Sequence, residues 1–129
     1  FGKANNIGIE KALRDGVEFV YLLNQDAYIN VDTISELIRI YKQYPQYGIL
    51  SPIQMNPDYT KLDSNFAYNC APERCPGFLS DLYVRKIKDV YDINFVMAAH
   101  WFIPTSAIKK IGMFAPLFYH YGEDRDWIN

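Results

Sequence analysis

The chain has almost no charge of one sign in excess. Thirteen Lys and Arg stand against fifteen Asp and Glu, for a net charge of −2 over 129 residues. The basic residues are scattered, so no stripe exists along which a nucleic-acid backbone would lie, and nucleic acid is not an expected partner. Cysteine is nearly absent. Cys70 and Cys75 stand without a histidine near them, which argues against a zinc site. They read as reduced thiols, with a local disulfide left open. No apolar run is long enough to cross a bilayer; the longest, Ile93–Ile103, is interrupted by Asn94 and His100. Phe1-Gly2-Lys3-Ala4 lacks signal-peptide character. No internal repeat or low-complexity segment occurs.

What is present is apolar and aromatic. Half of the residues are apolar, enough for a globular domain with a real core, and the length allows one domain. Eleven Tyr, eight Phe and two Trp would serve a core or a sugar-binding cleft equally well, since an aromatic face packs on a pyranose. The chain opens without Met at the run-in to a helix and ends inside another, at Trp127-Ile128-Asn129. It therefore reads as an excerpt of a longer protein, truncated at both ends.

Ile9, Ala12 and Leu13 share a helical face, and Gly16 stands where a helix C-cap favours glycine, so a helix is predicted over about 6–15. Val17–Leu23 is a nearly continuous apolar run rich in β-formers, the pattern of a strand covered on both faces in a parallel sheet. Asp32 is positioned to cap a second helix that Pro45 ends, and 48–53 reads as another strand. This alternation predicts an α/β sheet with crossover connections. Residues 54–80, rich in Pro, Asn and Asp, read as a long loop. Residues 82–87 read as an edge strand and 93–103 as a further strand closed by Pro104. Thr105 or Ser106 would then cap a short helix ending at Gly112.

Candidate chemistry concentrates at two places. Asn24-Gln25-Asp26 follows the buried strand at its carboxyl end, where α/β sheets bind ligands. Strand alternation would point Asn24 and Asp26 to the same side. A carboxylate beside an amide oxygen suits a hard divalent cation, which would also hold a diphosphate. The same residues also read as a plain turn at a strand end. The second place is Tyr119–Trp127, with Glu123, Asp124 and Asp126 after Gly122. In a helix starting there, Glu123, Asp126 and Trp127 share one side and Asp124 faces elsewhere. Acids also favour helix N-termini for reasons of the helix dipole alone. Carboxylates against Tyr119, Tyr121 and Trp127 would be partly desolvated and hence stronger bases. His120 is a candidate third metal ligand, or a partner for a neighbouring acid. His100 reads as a core residue, and Trp101 as core or as a platform that stacks on a sugar.

Taken in order, several segments resemble the family 2 glycosyltransferases of the GT-A fold. Ala4-Asn5-Asn6-Ile7-Gly8-Ile9, with Ala12-Leu13 and Gly16, is similar to the helix before that family's metal-site strand. Val20–Ala27 resembles the strand ending in its Asp-x-Asp-like motif, and Ile49-Leu50-Ser51-Pro52 the strand that follows. Ile108–Phe114 resembles the lead-in to its acidic motif, and Phe118–Trp127 the motif itself. Position 24 is Asn, and position 115 Ala, where the family often has Asp.

The resemblance implies a mostly parallel GT-A sheet with flanking helices, comprising a nucleotide and metal half over 1–53 and an acceptor and base half over 54–129. It implies transfer, with inversion, from a nucleoside-diphosphate sugar to a saccharide or lipid-linked acceptor. Mg2+ or Mn2+ would be held by Asp26 and Asn24. Asp124 would be the general base with Glu123 in support, and Asn5 and Asn6 would lie near the nucleotide. The family's usual work is polysaccharide or lipid-linked glycan assembly in the cytoplasm, with peripheral membrane association in some members. Two rivals remain open: a sugar-phosphate nucleotidyltransferase of similar fold, and a saccharide-binding α/β module without catalysis.

Overall fold

A computed structural model describes residues 2–115 and 122–128. Helix α1 runs Gly2–Asp15 and buries Ile9, with Leu13 packed against the core. It begins ahead of the predicted start because Gly2 is buried against Phe114 and Glu123, where a Cβ would stand 3.1 Å from the Phe114 Cβ. A long-range contact thereby extends a helix whose local start signals are weak. At the other end Gly16 takes φ 70°, donates to the Leu13 carbonyl, and is followed by Val17 donating to the Ala12 carbonyl. That pair of bonds satisfies carbonyls which the helix leaves open, and only glycine takes this φ without penalty.

Strand β1 (Phe19–Leu23) pairs with β2 (His100–Pro104) antiparallel, in the register Phe19↔Pro104 to Leu23↔His100. The fold is mixed α/β, but the described sheet is antiparallel rather than mostly parallel. Leu50 adds a single bridge on the far side of β2, donating to and accepting from Phe102 at 2.9 and 2.8 Å. Leu50 thus runs in the same direction as β1, with β2 between them. The apolar run predicted to be covered on both faces is covered by two different layers. Val20 and Leu22 pack with Trp101 and Ile103 in the core. Phe19 and Tyr21 lie on the opposite face, where Phe19 stacks on Phe102 and meets Tyr41 edge-on.

Tyr41 belongs to α2 (Thr33–Gln43), which ends at Tyr44, before Pro45, as expected. Asp32 precedes α2 but its side chain makes no capping bond; the Ser35 hydroxyl donates to the Asp32 carbonyl instead. The predicted long loop contains α3 (Ser64–Asn69) and the start of α4 (Phe78–Tyr83). Asp63 caps α3 by accepting from Asn65 and Phe66. The expected edge strand at 82–87 is the end of α4 and a turn: Val84 is exposed and Arg85 takes φ 58°. Its apolar residues find no strand to pair with among the described residues. The expected strand over 93–103 forms only from His100, because 93–99 bends to meet the Trp101 indole, which donates to the Val96 carbonyl. Helix α5 (Thr105–Ile111) ends at Gly112 as predicted. Neither Thr105 nor Ser106 caps it; Thr105 is its first residue and donates its hydroxyl back to Val17 and Glu18. Helix α6 (Glu123–Ile128) completes the core through Trp127, whose ring lies tilted against Trp101 and Phe114 at 5.9 and 5.8 Å between centroids.

Candidate active site

Pairing ends β1 at Leu23, and the next residues leave the sheet. Asn24 still donates its backbone N–H to Ala99, but Ala27 donates back to the Asn24 carbonyl at 3.0 Å, closing a tight turn. Strand alternation therefore does not govern Asn24 and Asp26; the turn does. Asn24 is half-buried and Asp26 exposed, and both line one cleft of ≈ 1060 Å3.

Glu123 and Asp124 line the same cleft from α6. Glu123 is 4% exposed, and its side-chain stem lies over Gly2. Asp124 is half-buried, and its Oδ1 accepts from the Arg125 backbone N–H at 2.9 Å. Asp126, expected on the side of Glu123, is exposed, whereas Trp127 is buried and donates to the Gly112 carbonyl. The helix thus turns Trp127 into the core while its first residues meet the cleft. Trp127 and Ile128 also line a second, apolar cavity of ≈ 680 Å3.

Other expected site residues are placed differently. Asn5 and Asn6 lie within α1 and do not line the cleft. The Asn6 amide donates to the Phe114 carbonyl at 2.9 Å and accepts from the Phe114 N–H at 3.0 Å, so both its functions are used in packing. His120 lies outside the described residues, as do Tyr119 and Tyr121. Cys70 and Cys75 are buried free thiols, each pushed up in pKa mainly by burial, Cys70 to about 11.

One cleft residue was missed in the sequence. His100, read as core, is 9% exposed and yet lines the cleft, and its Nδ1 lies 2.9 Å from the Tyr21 hydroxyl. Burial lowers the His100 pKa and raises that of Tyr21 to about 12, so both are neutral at pH 7. The available signal was the period-two spacing of Tyr21, Leu23 and His100 across a strand pair, which required the register.

Charge on the described cleft wall is of one sign. Asp26, Asp63, Glu123 and Asp124 line it, and neither Lys nor Arg does. Among the described residues no group of three or more His, Cys, Asp or Glu is placed to hold a metal ion. Asp26 and Asn24 nevertheless offer oxygen donors in an open cleft, which fits a cation that keeps most of its waters and takes its remaining ligands from a phosphate. Asp26 would supply the carboxylate and Asn24 the amide oxygen.

No helix among the described residues is long and apolar enough to cross a membrane. Comparison with family models, with curated proteins and with solved structures gives no match for this chain.

Proposed function

We propose that this chain carries the catalytic cleft of an inverting, GT-A-like glycosyltransferase. Its donor is a nucleoside-diphosphate sugar, and its acceptor is a saccharide, free or lipid-linked. The observation that carries the reading is convergence: the Asn24-Gln25-Asp26 turn and the Glu123–Asp124 pair, distant in sequence, line one cleft. Among the described residues the cleft wall bears four carboxylates and no Lys or Arg, which repels a diphosphate, so donor binding calls for a divalent cation. Asp26 and Asn24 would hold Mg2+ or Mn2+, which when bound would supply that charge and offset the charge developing on the leaving group.

The chain's own part is to orient and to move a proton. Asp124, half-buried and fixed by the Arg125 N–H, accepts the proton of an acceptor hydroxyl as that oxygen bonds to the anomeric carbon. The bond from the anomeric carbon to the diphosphate breaks in the same step, and a nucleoside diphosphate leaves. Glu123, held over Gly2, supports Asp124 or meets the acceptor. Alignment of the two substrates supplies much of the acceleration.

A second reading, saccharide binding without catalysis, draws on Tyr28 and Tyr59, exposed aromatics at the cleft rim among amide side chains. One experiment separates the two. Asp124→Asn should lower glycosyl transfer by at least about 100-fold while leaving Mg2+-dependent donor binding near that of the parent. Near-normal transfer by Asp124→Asn would refute the base assignment. Saccharide binding with no donor consumed in the parent chain would favour the second reading.

A further inference from the structure

The least expected group in the cleft is the His100 imidazole. It is more than nine-tenths buried, and among the described residues its one hydrogen-bond partner is Tyr21, at Nδ1. No buried side-chain nitrogen or oxygen among the described residues lacks a partner. The Nε2 atom has none, so it keeps some access to solvent, and His100 lines the cleft. The ring is therefore held from behind and free in front.

We propose that His100 is a ligand-binding residue whose Nε2–H donates to an anionic oxygen of the donor's diphosphate, with Tyr21 as the positioning residue that sets the tautomer. The inference rests on the transferase reading above. Its geometry comes from the sheet. Tyr21 and His100 are diagonal neighbours on one face, since Leu23 is the register partner of His100. Asn24, the next residue, donates to Ala99, so His100 stands beside the Asn24–Asp26 turn where the diphosphate would be held.

The tautomer follows from the surroundings. If Nδ1 carried the proton, Nε2 would present a lone pair to a wall bearing Asp26, Glu123 and Asp124, where the potential is negative. If the Tyr21 hydroxyl donates to Nδ1, an N–H faces that wall instead, the stabler arrangement. Burial supports this, because it keeps the imidazole uncharged and the phenol protonated at neutral pH. A neutral donor also suits the site. It binds a phosphate oxygen without competing for the cation that the carboxylates attract.

The test uses the whole chain with inorganic pyrophosphate and Mg2+, a probe that needs neither base nor sugar. Long-range proton–nitrogen correlation spectra of the imidazoles should show His100 as the Nε2–H tautomer, and Mg2+–pyrophosphate should shift its Nε2 resonance. Tyr21→Phe should give a mixture of tautomers and weaken pyrophosphate binding several-fold. His100→Phe should weaken it at least about tenfold, and His100→Gln, which keeps an N–H near Nε2, should recover part of that loss. An Nδ1–H tautomer, or an Nε2 signal unmoved while pyrophosphate binds in an Asp26-dependent manner, overturns this inference and leaves the transferase reading standing. Pyrophosphate that fails to bind even with Mg2+ overturns both.

Discussion

Asp26 stands exposed on a turn, with no hydrogen-bond partner among the described residues, while Asp63 on the same wall is occupied as the cap of α3. This difference makes Asp26, rather than Asp63, the carboxylate that the proposed reading assigns to the cation. Asp26→Ala removes one charge and leaves the turn intact, because the turn closes through the Asn24 and Ala27 backbone. We expect the variant to keep its thermal midpoint and to lose Mg2+- or Mn2+-dependent donor binding by about tenfold or more. Metal titrations followed by calorimetry would check this; an unchanged metal dependence would place the cation elsewhere. At this scale the sequence was legible for Asp26, Glu123 and Asp124, because carboxylates beside a strand end or a helix start are conspicuous. It was illegible for His100, since a histidine within an apolar run looks the same whether its second nitrogen meets protein or a cleft.

At the scale of elements, α1 and the segment after α5 are tied by one side chain. Asn6 makes two bonds to the Phe114 backbone, and Phe114 lies in the Trp101–Trp127 cluster that seats α6. Asn6→Ala would leave the Phe114 N–H and C=O without these partners. The expected cost is about 1–3 kcal/mol in urea denaturation. Asn6→Asp would keep the acceptor for the Phe114 N–H and lose the donor, so it should fall short of the parent as well. If Asn6→Ala were as stable as the parent but lost donor affinity, Asn6 would belong to the nucleotide site rather than to packing. The helices α1, α2 and α5 were readable from periodicity and from Gly16, Pro45 and Gly112. The 82–87 segment was misleading, because its apolar residues Leu82, Val84 and Ile87 are exposed at the end of α4 and in the turn after it, and pair with no strand among the described residues.

For the molecule as a whole, three neutral groups, buried His100 and Cys70 and half-buried Tyr21, bound the pH range of stability. His100 has its pKa lowered on folding, so below about 6.5 the unfolded chain takes up a proton that the folded chain resists. Stability should therefore fall as pH drops below that value. Tyr21 and Cys70 are raised, to about 12 and about 11. Their contribution is complete below the ordinary tyrosine and thiol range and is lost as pH rises through it toward the folded values. Urea midpoints measured from pH 5 to 11 should form a plateau with both shoulders. His100→Gln should flatten the acid shoulder relative to the parent; an identical shoulder in both would remove His100 as its cause. Slow alkylation of Cys70 and Cys75 by iodoacetamide at pH 8 in the folded chain, and fast alkylation in urea, would check the thiol side.

The sequence by itself determined the apolar strand, most helices, the glycine-bearing helix ends and the positions of the acids, since each depends on spacing and on residue chemistry a few positions away. Tertiary structure alone decided the rest. The antiparallel pairing of β1 with β2 and the antiparallel Leu50 bridge depend on which distant segment satisfies each strand's N–H and C=O groups, and local sequence does not encode that choice. The same pairing seats His100 beside Asn24, and the burial of Trp127 turns Glu123 and Asp124 to the cleft that Asp26 lines.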